Sequence, residues 1–294
     1  MVKKELVLSN YQMFRDFLKS KTGIDLKEGR AYLINSRLRP LVSQFPCESV
    51  DDLIRYAVTS DNQVAKCAVI EAMTTHETKW FRDVSPFEFL VKHIIPEVVK
   101  SNNAEKRQIN ILSSGCSTGQ EPYSIAMAIL EHAIWMKGIT TTDIRITATD
   151  LSQSVIDYAK RGVYESIHIC RGLEDKYLNN YFKLIQSGDG SKPVYQVIDA
   201  VKSMVTFKKC NLVDSRDCNC AIRYDVIFCR NVLIYFDDEY RVRIINYFKK
   251  ILRPKGYIIL GSSEQIPSGI TDFKMQRFNN SIFYQLTGSD EDKQ

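Results

Sequence analysis

The stretch Ile109 to Ser124, INILSSGCSTGQEPYS, most restricts what this chain can fold into. Ile109, Ile111 and Leu112 carry the apolar spacing of a short buried strand, which runs into Ser113, Ser114 and Gly115. From Pro122 the spacing predicts a helix through Trp135, because proline is tolerated in a first turn, where an N–H would have no intrahelical acceptor. Strand, glycine turn and helix in that order form the unit of a parallel α/β sheet. Gly115 and Gly119, lacking Cβ, allow a tight turn and let a ligand lie against bare backbone.

Glycines alone do not name the ligand, and many such turns are only tight connections. Two acidic residues narrow the choice. Glu121 sets a carboxylate beside the loop, where a pyrophosphate is repelled and a positively charged ligand is welcome. The second strand, Ile144 to Thr149, ends in Asp150, placed to accept hydrogen bonds from ribose hydroxyls. Ribose with a cationic tail points to S-adenosylmethionine rather than a nicotinamide dinucleotide.

On either side of this stretch the chain changes character. Residues 1–74 read as a small all-helical domain: Tyr11 to Leu18 is amphipathic, Glu28 to Phe45 has helical spacing divided by Pro40, and Ser49 opens one of two further helices ending at Met73. Arg30 and Arg37 share one flank, with Arg39 turned away; a solvated face is the plain alternative for such a pair. Residues 75–108 form a linker in which TTHETKWFRD crowds polar chemistry beside Trp80 and Phe81, followed by a connecting helix from Pro86 to Lys100.

Residues 109–288 alternate strand and helix, which argues a mostly parallel sheet with right-handed crossovers. Ser152 caps a helix ended by Gly162, YDVIFC is a buried strand leading into Arg230 and Asn231, and Asp237 caps a helix whose core side is Tyr240, Ile244, Ile245 and Phe248. Within about 178–204 the rhythm predicts an antiparallel insertion, with a turn at Gly188 and Gly190, a β-rich run after it, and Val205 to Lys209 returning to the main sheet. Phe273 to Phe278 and Ser281 to Leu286 predict a terminal hairpin turning at Asn279 and Asn280, and 289–294 a disordered tail.

Composition excludes several classes. The N-terminus has no apolar run of signal-peptide length and no segment approaches the roughly 18 apolar residues of a membrane span, so a cytoplasmic protein without membrane insertion is expected. In that compartment the 8 cysteines are expected as thiols, with Cys218 and Cys220 as small hydrophobes or loop thiols rather than metal ligands; no metal is implied. A net charge of +5 is too diffuse to mark a nucleic-acid partner.

Taken in order, MTTHETKWFRD, ILSSGCSTGQEPYSIAMAI, ITATDLS, KKCNL and FCRNVLIYFD resemble the CheR-type chemotaxis receptor methyltransferases, and the resemblance spans nearly the whole chain. It implies an S-adenosylmethionine-dependent protein-glutamate O-methyltransferase. The implied architecture is an all-α N-terminal domain, then a class I, Rossmann-like domain with a seven-stranded sheet, a C-terminal antiparallel hairpin and an inserted antiparallel β-subdomain. Carried over by motif, the cofactor positions fall on His76, Thr78, Arg82, Gly115, Glu121, Asp150, Asn211, Leu212, Arg230 and Asn231, with Tyr235 near the transferred methyl. His76 stands where Asn is usual, and Trp80 where the common aromatic is Phe. The product would be S-adenosylhomocysteine. The implied partner is the acidic helical bundle of a chemoreceptor, met by Arg30 and Arg37, with a receptor C-terminal tail on the β-subdomain, and the enzyme is expected to act as a monomer.

The chemistry asked of such a site is modest. A glutamate side chain in water titrates at about pH 4.3 and is already a nucleophilic carboxylate at neutral pH, so alignment matters more than a general base. Arg82 and Tyr235 are the candidates for that alignment. A nucleic-acid methyltransferase shares the fold but commonly offers an Asn-Pro-Pro-aromatic turn after its fourth strand, where this chain has CRNVLIY. A methyltransferase for a different substrate and a non-catalytic S-adenosylmethionine-binding module are the remaining readings of these motifs.

Overall fold

A computed structural model describes residues 8–101, 108–133, 140–188, 191–214, 222–279 and 281–288. Cys218, Cys220, Gly190, Asn280, Trp135 and residues 289–294, for which the sequence carries expectations, lie outside the described residues. Two compact units divide the chain: residues through Thr75 together with Ile234–Arg243, and His76–Leu233 together with the residues from Ile244 onward.

The first unit is helical, with helices Leu8–Thr22, Ala31–Leu38, Val50–Thr59 and Gln63–Met73. Pro40 lies in the first turn of a 3-10 segment, Arg39–Gln44, that takes over where the second helix stops, since proline has no N–H to continue the α ladder. Ser49 Oγ accepts from the Asp52 amide at 3.1 Å and Asn62 Oδ1 from the Ala65 amide at 3.0 Å, so the third and fourth helices start where short polar side chains satisfy their free N–H groups. Phe14, Leu18, Ile34, Leu38, Leu53 and Ile54 form the sealed core. Arg37 leaves the exposed flank assigned to it: its guanidinium donates to Met73 O (2.7 Å), Thr74 O (3.0 Å) and Thr75 Oγ1 (3.0 Å), closing the end of the fourth helix. The late segment joins this unit through an antiparallel bridge between Ile24 and Phe236, and the Asp25 amide donates to Tyr235 O at 2.9 Å.

The second unit is built on strands β1 (Ile109–Ser114), β2 (Ile144–Asp150), β3 (Val163–Glu165), β4 (Phe182–Gly188), β5 (Ser191–Val197), β6 (Val205–Lys209), β7 (Tyr224–Cys229), β8 (Leu252–Leu260), β9 (Phe273–Phe278) and β10 (Ser281–Leu286). Seven of them form one sheet in the order β6-β2-β1-β7-β8-β10-β9. The pairings from β6 through β8 are parallel, and β10 enters antiparallel between β8 and β9. Every residue of the central strand β7 is buried, as expected of a strand covered on both faces. The sheet, its terminal hairpin and the three-stranded insertion β3-β5-β4 agree with the architecture implied by the sequence.

Local details differ from the sequence reading. β3 has no sequence signal, because three residues are too few to show alternation; it exists only by pairing with β5. Within the run read as β-rich, Asp199–Lys202 is a helical turn with an acid at its start and a lysine at its end. Tyr240 is half-buried, whereas Ile244, Ile245, Phe248 and Ile251 form the buried face of helix Asp238–Ile251. Among the described cysteines, Cys47, Cys67, Cys116, Cys170 and Cys229 are free thiols, but Cys210 is disulfide-bonded, contrary to the expectation of thiols throughout. No helix of the described residues is long and apolar enough to cross a membrane.

Candidate cofactor site

The parallel strands end side by side, and the candidate residues follow those ends one strand at a time: Gly115 after β1, Asp150 closing β2, Asn211 and Leu212 after β6, Arg230 and Asn231 after β7. The carboxyl edge of such a sheet is where α/β proteins bind ligands, because the connecting loops diverge there. The β1 loop is drawn onto β2 by the amides of Gly115 and Cys116, which donate to Thr149 O at 2.8 and 2.9 Å. A Cβ on Gly115 would lie 2.4 Å from Val232 Cγ2, and its φ of +73° already favours glycine. Helix Gln120–His132 then begins two residues before Pro122, with Gly119 as its left-handed N-cap.

Asp150 is tied to this loop. Its Oδ2 accepts from the Ser117 amide at 2.8 Å and its Oδ1 from the Ser152 amide at 3.1 Å. Burial holds its carboxyl above the ordinary range, opposed by those two amides. Ser117, at φ +50°, adopts a conformation rarely taken by side-chain-bearing residues, and its hydroxyl donates to His76 O at 2.9 Å.

Glu121 is the acceptor of a second network. Its Oε1 accepts from Ser113 Oγ at 2.8 Å, and its Oε2 pairs with Arg230 Nη1 at 3.2 Å. Arg230 Nη2 donates to Asp83 Oδ2 and to Arg82 O, both at 2.7 Å, while its guanidinium stands 5.8 Å from the Phe87 ring centre. The Arg230 side chain is 1% exposed, so this is a buried charge whose balance depends on Glu121 and Asp83. Burial raises the Glu121 pKa, and Arg230 and Ser113 oppose that rise. The same contacts fix the segment carrying His76, Thr78 and Arg82: Phe81 and Asp83 sit at φ +44° and +56°, held by the Ser124 hydroxyl on the Phe81 amide and by Arg230 on Arg82 O.

Asn231, at φ +59°, is held by Glu264, whose Oε2 accepts from the amides of Asn231 and Gly261 at 2.7 Å each. Sequence reasoning passes over Glu264, although polar residues directly after the buried strand β8, in LGSSE, are a signal for it. Two buried polar atoms, Ser114 Oγ and Asn231 Oδ1, have no hydrogen-bond partner among the described residues. Ser114 closes β1 and Asn231 lies two residues past the end of the adjacent strand β7, and together with the carboxylates these oxygens fit a ligand bearing hydroxyls, amines and a positive charge. Arg82 is half-buried beside this crevice, whereas Arg30, Arg37 and Tyr235 belong to the helical unit.

Two family descriptions match this chain: "CheR methyltransferase, SAM binding domain" over residues 76–282 and "CheR methyltransferase, all-alpha domain" over residues 9–74. A chemotaxis protein methyltransferase of Vibrio parahaemolyticus is 43% identical over 94% of this chain and 96% of its own length. One of Vibrio anguillarum is 42% identical with the same coverage, and chemotaxis protein methyltransferase 1 of Pseudomonas aeruginosa is 37% identical over 94% of this chain and 97% of its own.

Proposed function

This chain belongs to the CheR methyltransferase family, and from that premise we propose that it transfers the methyl group of S-adenosylmethionine to glutamate side chains of chemoreceptors, leaving glutamate methyl esters and S-adenosylhomocysteine. The observation that carries the reading is the pair of half-buried carboxylates, Glu121 and Asp150, held by fixed donors at the carboxyl ends of adjoining parallel strands. When bound, the cofactor supplies an electrophilic methyl on a positively charged sulfur.

Asp150 keeps its two amide donors and accepts from the ribose, while Glu121, shared with Arg230, supplies negative potential to the cationic end. His76, Thr78, Gly115, Asn211, Leu212, Arg230 and Asn231 complete the walls of the site. The substrate glutamate is ionised at neutral pH and needs no base. Arg82 and Tyr235 orient its oxygen toward the methyl. Orientation and exclusion of water of this kind contribute up to about 7–11 kcal/mol. A tight ion pair would quench the nucleophile, so positioning rather than direct pairing is their role.

Residues 1–74 serve receptor recognition in this reading, with Arg30 facing the acidic methylation helices; Arg37, committed to the carbonyls of its own unit, contributes less than its neighbour. A receptor C-terminal tail would pair along β4, an edge of the inserted sheet where Leu184 and Ile185 are 54% and 50% exposed. The enzyme acts as a cytoplasmic monomer. The test is incubation with methyl-labelled S-adenosylmethionine and a chemoreceptor cytoplasmic fragment: label released as methanol by mild base is expected. Base-stable label would mean a different acceptor, and binding without transfer would mean a non-catalytic module.

A further inference from the structure

The turn that leads into helix Gln120–His132 is supported from outside the main sheet. Gly119 N–H donates to Cys116 O at 3.1 Å, and Thr118 O, on the other side of the same peptide plane, accepts from Tyr164 Oη at 2.7 Å. Both ends of the Thr118–Gly119 peptide are therefore pinned, one by the loop itself and the other by a residue of the inserted sheet. The orientation of that peptide sets where the helix's first free N–H groups point, since Gly119 is the N-cap. Contact is close enough that a Cβ on Gly119 would lie 3.0 Å from Tyr164 Oη and 2.9 Å from Ala159 Cβ.

Tyr164 is itself immobilised. It is fully buried, sits at the centre of the three-residue strand β3 opposite Tyr195, and meets Trp80 and Tyr158 edge-on with ring centres 5.0 and 5.6 Å away. Trp80 is locked in turn by its Nε1 donating to His168 O and its amide to Arg171 O, both at 3.0 Å, and by an edge contact with Phe182 of β4. The strand too short to be seen in the sequence thus delivers one hydroxyl to the back of the cofactor loop.

We propose that Tyr164 is a positioning residue for S-adenosylmethionine binding: through Thr118 O, the inserted sheet holds the Thr118–Gly119 peptide in the orientation the cofactor requires. The inference rests on the assignment of the Ser113–Glu121 loop to the cofactor. Tyr164→Phe removes the hydroxyl and keeps the ring. Tyr123→Phe is the control, because Tyr123 Oη also makes a buried bond, to Ala159 O at 2.8 Å, and makes none to the Thr118–Gly119 peptide. Both variants lose one buried hydrogen bond, so their melting temperatures should fall by similar amounts.

Calorimetric titration with S-adenosylhomocysteine should show Tyr164→Phe binding about 3- to 10-fold more weakly, the equivalent of one hydrogen bond, and Tyr123→Phe within about twofold of wild type. Turnover of Tyr164→Phe at saturating cofactor should stay near wild type, and amide exchange at Gly119 should quicken in this variant alone. Wild-type affinity and unchanged exchange in Tyr164→Phe, or equal weakening in both variants, overturns the proposal. Asp150→Ala, titrated alongside, separates the two failures: if it also binds as wild type, the loop assignment is wrong and Tyr164 falls with it, whereas weak binding in Asp150→Ala alone refutes only the role of Tyr164.

Discussion

The cofactor crevice and the inserted sheet, neighbours in one unit, are built on opposite principles. In the crevice the polar groups are tied: Asp150 to two amides, Glu121 to Ser113 and Arg230, Glu264 to two more amides. The insertion is aromatic inside, where Trp80, Tyr164 and Phe182 meet edge to face, and apolar outside, where Leu184 and Ile185 stand in solvent along β4. A small charged ligand is held by donors and acceptors fixed in advance, because reorganising them on binding costs affinity. An extended peptide needs instead an open strand edge and apolar side chains to cover.

The comparison is broken most severely at Arg230. Arg230→Met leaves Glu121 and Asp83 without their cation, and removing one partner of a buried pair should cost about 3–5 kcal/mol of stability in urea unfolding. Adding Glu121→Gln should restore part of that loss, and no restoration would show that the pair is not coupled. Asp150→Ala removes an acceptor from the ribose and two amide contacts from the loop; calorimetry should find cofactor binding weaker by roughly 1.5–3 kcal/mol.

Arg82→Ala and Tyr235→Phe should each lower turnover by about tenfold, with cofactor affinity changed far less, if their contacts matter as the methyl transfers. Weak binding with normal turnover at saturation would move both residues to ground-state binding. On the insertion, Leu184→Lys with Ile185→Lys should leave stability within about 0.5 kcal/mol per exposed site while abolishing capture of a receptor tail peptide. The smallest effect is expected of Arg30→Glu, which should slow receptor methylation at low ionic strength and lose its effect as salt shortens the Debye length below about 8 Å. Arg39→Glu, at the opposite end of helix Ala31–Leu38, is its control; an identical salt series for the two would leave Arg30 a solvated residue.

What the sequence by itself determined is everything set by neighbours in the chain. Ser49, Asn62 and Ser152 cap helices because the amides they satisfy lie three residues away, Pro40 stops a helix by the N–H it lacks, and Gly162 ends another in a left-handed turn at φ +64°. The strand, glycine loop and helix around Gly115 were legible for the same reason, as were Glu121 and Asp150, which sit beside that loop and at the end of a strand. Only the tertiary structure decided that Arg230 meets Glu121 across 109 residues, that Arg37 spends its guanidinium on carbonyls 36 and 37 residues ahead, and that β10 slips between β8 and β9. Tyr164 belongs with these, since nothing near it in the chain needs its hydroxyl, and so does the bond from the Asn231 amide to Glu264, whose other donor, Gly261, is only three residues away. Their partners are backbone groups brought within reach by packing of the sheet, and a polar side chain's purpose is fixed by the unsatisfied group it is folded against.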